Sequence, residues 1–370
     1  MNPQLKHKKW VYALAPVLLI LLCAALMVLS GLVGVTNRQL EDYREEIFQA
    51  ENNPGYNRFG LLGEQTLSTE LLADTGEALV YSDRVIKKLA FKEDAAQQFA
   101  DSMYALQAVV GENAGIVVLP VPKRAQYEKV CGESATALYG EFLETLAGEL
   151  PGDVRLADAC AALAEDDEHQ LFYRTDDTWT MDGAYYGYRA VCEALGITPR
   201  EMDAFDFYSV NSFTGTLAQS VLEREYLGSS VDFESIRNGI APDRFIFRYS
   251  RDFKNYEVVN SVNYGVYKRP VILHTLAGAT GVIGDKFIYA QIDGKGEGSV
   301  MVVGDAAGKC IVPYLTEHFG KIVVVNMQHC YTEMMLELAA ESGIKTFVIA
   351  QKADEIGSSA YSRALNELLR

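Results

Sequence analysis

Four short apolar, mostly β-branched runs constrain this chain more than any other feature: IVVL at 116–119, VMVV at 300–303, IVVV at 322–325 and TFVI at 346–349. None alternates polar with apolar residues. Each therefore predicts a strand covered on both faces, the pattern of a parallel sheet with helices above and below it. Apolar residues recurring at helical spacing predict helices over 94–110, 134–149, 183–195, 311–318, 331–342 and 359–369. Strands alternating with helices in this way define an α/β chain, and the expectation is a three-layer α/β/α domain with a mainly parallel sheet. The stretch 203–292 is poorer in helical signal and richer in Tyr, Phe, Asn and Gly, and reads as an irregular insertion with short strands or hairpins. Residues 68–89 fit neither period clearly.

The N-terminus carries a second strong pattern. Lys6, Lys8 and Lys9 precede an uncharged run, 11–35, that is dominated by Leu, Val and Ala. At about 1.5 Å rise per residue it is long enough for a ~30 Å hydrocarbon core, and longer than the 7–15 apolar residues of a secretory signal. The expectation is a single-pass transmembrane helix with a cytoplasmic N-terminus, which would put the main domain on the extracytoplasmic side of a bacterial cell membrane. A cleaved signal remains the alternative. The expected organisation is then 1–37 as cytoplasmic tip and anchor, 38–77 as juxtamembrane helix and linker, and 78–370 as the main domain.

With 33 basic against 50 acidic residues the formal charge is −17. So negative a chain disfavours nucleic acid as a partner, and a neutral glycan or a cationic surface fits better. Six cysteines, none in a Cys-x-x-Cys spacing, argue against a metal centre. They leave open whether the thiols are free or one or two disulfides form. No metal or other cofactor is expected.

Open α/β sheets bind ligands beyond the carboxyl ends of their strands. Gly304, Asp305 and Ala306 directly follow one predicted strand and so belong at that edge. The segment Tyr173, Arg174, Thr175, Asp176, Asp177, Thr178, Trp179 precedes the helix expected to begin near Met181, where Asp176 or Asp177 could cap it. Tyr173, Trp179, Tyr185 and Tyr186 offer flat faces for a sugar, or else core. Lys123, Arg124 and Tyr127 follow the first strand and could line the same edge. Among the histidines, His169 and His329 are the ones placed to enter a cleft there.

The segment LFYRTDDTWTMDGAYYGYRAV (171–191) resembles the signature block of SGNH-hydrolase-like proteins of the alginate O-acetylation type, in the branch named for an Asp-His-His-Trp motif (DHHW). SVMVVGDAAGKCIVPYLTEHFGKIVVV (299–325) resembles the nucleophile block of that family, and the order of the two blocks agrees. The resemblance spans about 78 to the C-terminus and implies an SGNH-like domain. In that family a Ser attacks an acyl carbonyl, a His takes its proton and an Asp orients the His. Position by position, Asp176 matches the orienting Asp and Trp179 the motif Trp, but Thr178 stands at the His position and Ala306 at the Ser position. Tyr173, Arg174, Trp179, Gly304 and Asp305 would line the binding site. The resemblance therefore implies a catalytically degenerate partner in cell-envelope polysaccharide O-acetylation, working beside a multi-pass membrane acyltransferase. The alternative is an active O-acyltransferase or esterase using displaced residues.

Overall fold

The computed structural model describes residues 68–356, except 112, 128–132, 167–168, 214, 224–242, 251–252, 254, 262–263, 271–279, 285–286 and 327. The chain divides into two compact units, Met1–Leu62 and Gly63–Arg370, and all the described residues belong to the second.

The ambiguous stretch near residue 70 resolves into three short strands, β1 (Leu71–Asp74), β2 (Ala78–Tyr81) and β3 (Val85–Lys87), paired antiparallel as a small separate sheet. Helix α1 (Ala95–Val110) leads into β4 (Gly115–Val121), and α2 (Glu133–Glu149) into β5 (Val154–Leu156). The short α3 (Cys160–Glu165) and the longer α4 (Met181–Leu195) flank the first signature segment. Next come β6 (Asp206–Phe213), α5 (Thr216–Glu223), β7 (Asp243–Tyr249), β8 (Asn255–Asn260), β9 (Val266–Pro270), α6 (Thr280–Ile283) and β10 (Phe287–Asp293). The chain then runs through β11 (Ser299–Gly304), a 3-10 turn (Gly308–Ile311) continuing into α7 (Val312–Leu315), β12 (Lys321–Val325), α8 (Thr332–Glu341) and β13 (Thr346–Lys352).

Eight strands form the central sheet in the order β5-β4-β13-β11-β12-β10-β8-β9. The four apolar runs are its middle, β4, β13, β11 and β12, all mutually parallel. Along β11, Val300 and Val302 join the core on one face while Met301 and Val303 join the core on the other. Burial on both sides is why the sequence shows no alternation there. Helix α4 and the 308–315 segment cover the first face, and α1, α2 and α8 cover the second, which gives the helix–sheet–helix layering.

Two expectations need correction. The sheet is mixed rather than mainly parallel, because β10, β8 and β9 are added antiparallel on the β12 side. Part of the supposed insertion 203–292 is thus the far third of the central sheet, and only β6 and β7 form a separate ribbon. The second correction concerns the membrane. Among the described residues no helix is long and apolar enough to cross a bilayer. The longest, α2, has 17 residues and exposes one face, short of the ~20 apolar residues a span needs. The run 11–35 that prompted the expectation lies outside the described residues, as does the helix expected over 359–369. The transmembrane helix, the single-pass topology with a cytoplasmic N-terminus and the extracytoplasmic placement rested on that anchor and are withdrawn with it, as is the membrane-borne acyltransferase partner that the resemblance implied.

Cys160, Cys192, Cys310 and Cys330 are free thiols. The last three are buried, so they behave as small apolar residues in the core.

Candidate functional site

Local chemistry explains how the first signature segment is shaped. Thr180 caps α4, its hydroxyl accepting the Gly183 N–H at 3.2 Å, while Gly196 ends the helix in the left-handed region at φ 71°. These are the ordinary start and stop signals of a helix. Phe172 and Trp179 pair as an isolated antiparallel bridge, closing 173–178 into a tight loop. Gly187 permits the next contact: a Cβ there would come 2.9 Å from Cζ3 of the Trp179 ring. The indole therefore packs closely against α4 and is completely buried. Its Nε1–H donates to the Ala307 carbonyl at 3.0 Å. This bond joins the two signature segments across 128 residues of chain, and the Tyr314 hydroxyl, donating to the Met181 carbonyl at 2.7 Å, adds another.

Asp243 sets the loop backbone. Its buried carboxylate accepts from Gln170 Nε2 (2.8 Å), the Arg174 N–H (2.9 Å), the Thr175 N–H (2.8 Å) and the Thr175 hydroxyl (2.6 Å). Arg124 holds the other side, donating to the carbonyls of Phe172 and Tyr173. The Val85 N–H donates to the Arg174 carbonyl at 2.9 Å, so the small sheet docks directly on the loop.

Within this frame the two acids of the loop have separate partners. Asp176 Oδ1 accepts the Thr178 hydroxyl at 3.0 Å, and Oδ2 accepts the Thr216 N–H at 3.0 Å. Burial and then the charge of Asp177 raise the Asp176 carboxyl above its ordinary value, against those two hydrogen bonds. Asp177 Oδ2 meets Lys123 at 3.1 Å and Lys87 and Lys352 at 3.6 Å each. Burial raises its carboxyl, but Lys123, Lys352 and Lys87 outweigh burial and hold it well below the usual range. Lys123 reaches on to Asp354 at 2.6 Å, and Lys352 to Glu355 at 2.6 Å. Neither acid caps α4, which Thr180 caps instead.

The second segment turns at the carboxyl edge of β11, as expected. Asp305 holds the turn: Oδ1 accepts the Gly308 N–H and Oδ2 the Lys352 N–H, both at 2.8 Å. Burial raises its carboxyl despite those bonds and the nearby Lys352 charge. Gly304 is needed for close approach, since a Cβ there would lie 2.8 Å from the Ala350 carbonyl. Ala306 is half-buried at the tip. Its carbonyl accepts from the Cys310 thiol at 3.4 Å, and burial pushes that thiol up, away from the thiolate a nucleophile needs. Lys309 is turned away to the Gly284 carbonyl, 2.8 Å off.

The sequence-predicted residues thus converge in part. Asp176, Thr178, Trp179, Gly304, Asp305 and Ala306 gather at one sheet edge through the Trp179–Ala307 bond. Tyr173, Trp179 and Tyr185, expected to offer flat faces, have 1%, 0% and 3% of their surface exposed; they are core, and their rings have no face open to a sugar. The described histidines stay out of this cluster. His169 Nδ1 pairs with Asp166 at 2.8 Å, and His318 Nε2 with the Tyr188 hydroxyl at 2.6 Å. His329 is exposed after β12. Asp243, Thr216, Lys352 and Asp354 escaped sequence reasoning. Lys352 follows a strand just as Lys123 does, which is a signal that could have found it. Asp243 lies in the stretch read as irregular and carries no local signal.

The His169–Asp166 pair yields a pH prediction. The Asp166 hydrogen bond raises the His169 value above 6.5, helped by the Asp182 and Asp166 charges and opposed by burial and Arg248. A raised folded value means the pair stabilises fully below the unfolded 6.5 and loses that contribution as pH rises through the folded value. The stability advantage of the parent over His169→Gln, read by urea denaturation, is expected to be largest on the acid side of 6.5 and to vanish in alkali. An advantage independent of pH would contradict it.

An open α/β/α fold with paired motifs at the carboxyl edge of its central strands is the layout of the SGNH-hydrolase-like class. Residues 81–234 match the family described as "SGNH hydrolase-like domain, acetyltransferase AlgX", and residues 160–325 match "DHHW protein". The chain is a member of this SGNH-hydrolase-like, DHHW-type family. Among solved structures it is similar to a DHHW family protein from Eubacterium siraeum DSM 15702, with 19% identity, a TM-score of 0.67, and coverage of 80% of this chain and 97% of that one. It is also similar to Bacillus cereus PatB1 with a sulfonyl adduct, with 14% identity, a TM-score of 0.60, and coverage of 78% and 98%. At these identities the likeness concerns the fold. No curated protein matches the chain.

Proposed function

We propose that the chain is a catalytically degenerate member of this family that binds acylated polysaccharide in an accessory role in polysaccharide O-acetylation. Ala306 occupies the position of the attacking Ser, Thr178 that of the proton-accepting His, and Asp176 that of the orienting Asp. The observation that carries the reading is the pairing of two hydrogen bonds. Thr178 donates to Asp176 while the next residue, Trp179, donates to Ala307. The frame of a reaction centre is held together around side chains that can neither attack nor take a proton near neutrality. An alanine methyl has no lone pair, and a threonine hydroxyl is no base at pH 7.

What such a site retains is recognition. No described group accepts a hydrogen bond from the Ala306 N–H, which leaves a donor at the tip of the turn for an acyl carbonyl. Binding without turnover follows from that donor, since a donor aimed at a carbonyl needs no attacker.

The test uses the full chain with p-nitrophenyl acetate and, separately, an O-acetylated oligosaccharide. The expected result is ester hydrolysis no faster than buffer, no covalent acetyl adduct by mass spectrometry, and measurable calorimetric binding of the oligosaccharide. Hydrolysis well above buffer, or an acetylated side chain, would overturn the reading in favour of displaced catalytic residues.

A further inference from the structure

A row of hydrogen bonds running along α4 holds the two signature segments side by side. Trp179 Nε1–H donates to the Ala307 carbonyl at 3.0 Å, just before the helix. The Tyr314 hydroxyl donates to the carbonyl of Met181, the first residue of the helix, at 2.7 Å. About 10 Å further along the helix, the Tyr188 hydroxyl meets His318 Nε2 at 2.6 Å. Tyr188 also stacks with both His318 and Tyr314, at centroid separations of 5.6 and 5.4 Å. The segment that starts at Ala306 is thus fastened to α4 near its beginning, its middle and its end. Of these three contacts, only the last contains a group that titrates near neutrality.

The hydrogen count at Tyr188 makes that contact sensitive to protons. Tyr188 is completely buried, and its hydroxyl oxygen accepts the Arg200 N–H at 2.6 Å. A phenol has one proton to give, and His318 Nε2 is positioned to take it. That bond requires the neutral imidazole with its hydrogen on Nδ1. A protonated imidazole donates from both nitrogens. Nε2–H would then point at the phenol oxygen and displace the phenol proton toward the neighbouring Cys192 sulfur, a weak acceptor. His318 itself is half-buried, so protons from solvent reach it.

The charged surroundings favour the neutral form. Burial and then Arg200 lower the His318 value below the ordinary 6.5, and Glu317 opposes them. Lys295, from the turn between β10 and β11, pairs with Glu317 at 2.9 Å and offsets its charge. Facing His318 from α4 are Tyr188 and, behind it, Cys192; burial raises both, so they stay neutral. A lowered folded value means that the contact stabilises fully above 6.5 and loses that contribution as pH falls through the folded value.

We infer that His318 is an acid-sensitive fastener between the two segments: neutral, it closes the far end of the row on Tyr188, and protonated, it releases that end and loosens the turn that carries Ala306. The inference rests on the proposed binding role and names its regulation, with glycan held near neutrality and let go in mild acid.

The experiment is hydrogen–deuterium exchange of the full chain at about pH 7.5 and about pH 5, either side of an ordinary imidazole's value. Mass spectrometry reads peptides covering 306–318, with labelling times scaled for the intrinsic effect of pH. His318→Gln keeps an acceptor for the Tyr188 proton but does not titrate. Asp176 and Asp305, whose carboxyls burial raises, and the His169 pair are present in parent and variant alike and cancel in the comparison. Exchange in the parent is expected to be roughly 5-fold faster in acid, the factor that one ordinary hydrogen bond supplies. His318→Gln should show no such difference. Tyr188→Phe, which removes the bond at every pH, should exchange fast at both, and it decides the matter should His318→Gln fail to fold in a thermal melt. Equal protection of the parent at both pH values, the same acid response in His318→Gln, or parent-like protection of Tyr188→Phe near neutrality would overturn the inference. Calorimetric titration with an O-acetylated oligosaccharide separates it from the proposed function. Binding equally tight at both pH values would overturn the regulation, whereas no binding at either, alongside the acid response in exchange, would sink that function and leave the fastener standing.

Discussion

Putting a serine at position 306 and a histidine at position 178 together is expected to give the chain an acyl-transfer activity that the proposed reading denies it. The frame is in place. Asp176 Oδ1 already accepts a hydrogen bond from the side chain at 178 at 3.0 Å, which is the bond an imidazole N–H would make to an orienting carboxylate. The Trp179–Ala307 bond at 3.0 Å fixes the second segment against the first. Neither single substitution should suffice, because an unassisted serine is a weak nucleophile and a base without a nucleophile has nothing to activate. Residues of such a unit act together rather than additively. The Ala306→Ser/Thr178→His variant should hydrolyse p-nitrophenyl acetate on the order of 10²–10³ faster than either single variant, within the range that a positioned general base supplies. An acetyl group trapped on the new hydroxyl at 306 should be visible by mass spectrometry. The rate should fall in acid, where the new imidazole is protonated. A double variant no faster than the singles would mean that 178 and 306 do not share a reaction centre, and the assignment of Thr178 and Ala306 to the vacated positions would fail.

Removing the Asp243 carboxylate should produce the largest loss of stability of any single change at the site. Four donors converge on it, two of them backbone N–H groups of the loop that carries Arg174 and Thr175, and it is 3% exposed. Asp243→Ala leaves those donors buried with no acceptor, and unmade hydrogen bonds to a charged group cost more than the net gain of making them. The expected loss is about 3–5 kcal/mol, measured as a fall in the urea midpoint at unchanged slope. Asp243→Asn should recover only part, because its amide nitrogen presents donors toward donors. The loop should also lose its hold on Asp176, so glycan binding should weaken together with stability. A loss under about 1 kcal/mol, the scale of an ordinary surface change, would show that the Thr175 loop is held by other contacts.

Family and function stand at different depths. The match of two overlapping segments to the SGNH-hydrolase-like and DHHW descriptions places the chain, and the similarity to the Eubacterium siraeum protein over 80% of its length supports the fold. What this chain does follows from its own residues. In the proposed reading, Ala306 and Thr178 argue against covalent chemistry and the Ala306 N–H argues for recognition.

The sequence by itself determined the centre of the sheet and the place of the site. Runs such as VMVV and IVVV admit one environment, covered on both faces, because every side chain in them is apolar and most are β-branched. They became β11 and β12 with β4 and β13 beside them. Helix α4 was legible for an equally local reason, its apolar spacing, but its cap was not: the role expected of Asp176 or Asp177 falls to Thr180. The mixed character of the sheet was not legible. Residues 255–293 join it through antiparallel pairing with a strand that comes later in the chain, and no local pattern encodes a partner's direction. Nor could the sequence show that Tyr173, Trp179 and Tyr185 are core rather than binding faces, since an aromatic ring suits either until packing chooses. Above all, only the tertiary structure decided which charges are spent. Asp177 faces three lysines drawn from β3, the end of β4 and the end of β13, while Asp243 arrives from β7 to take the backbone of the signature loop. Those meetings depend on distances between segments far apart in the chain.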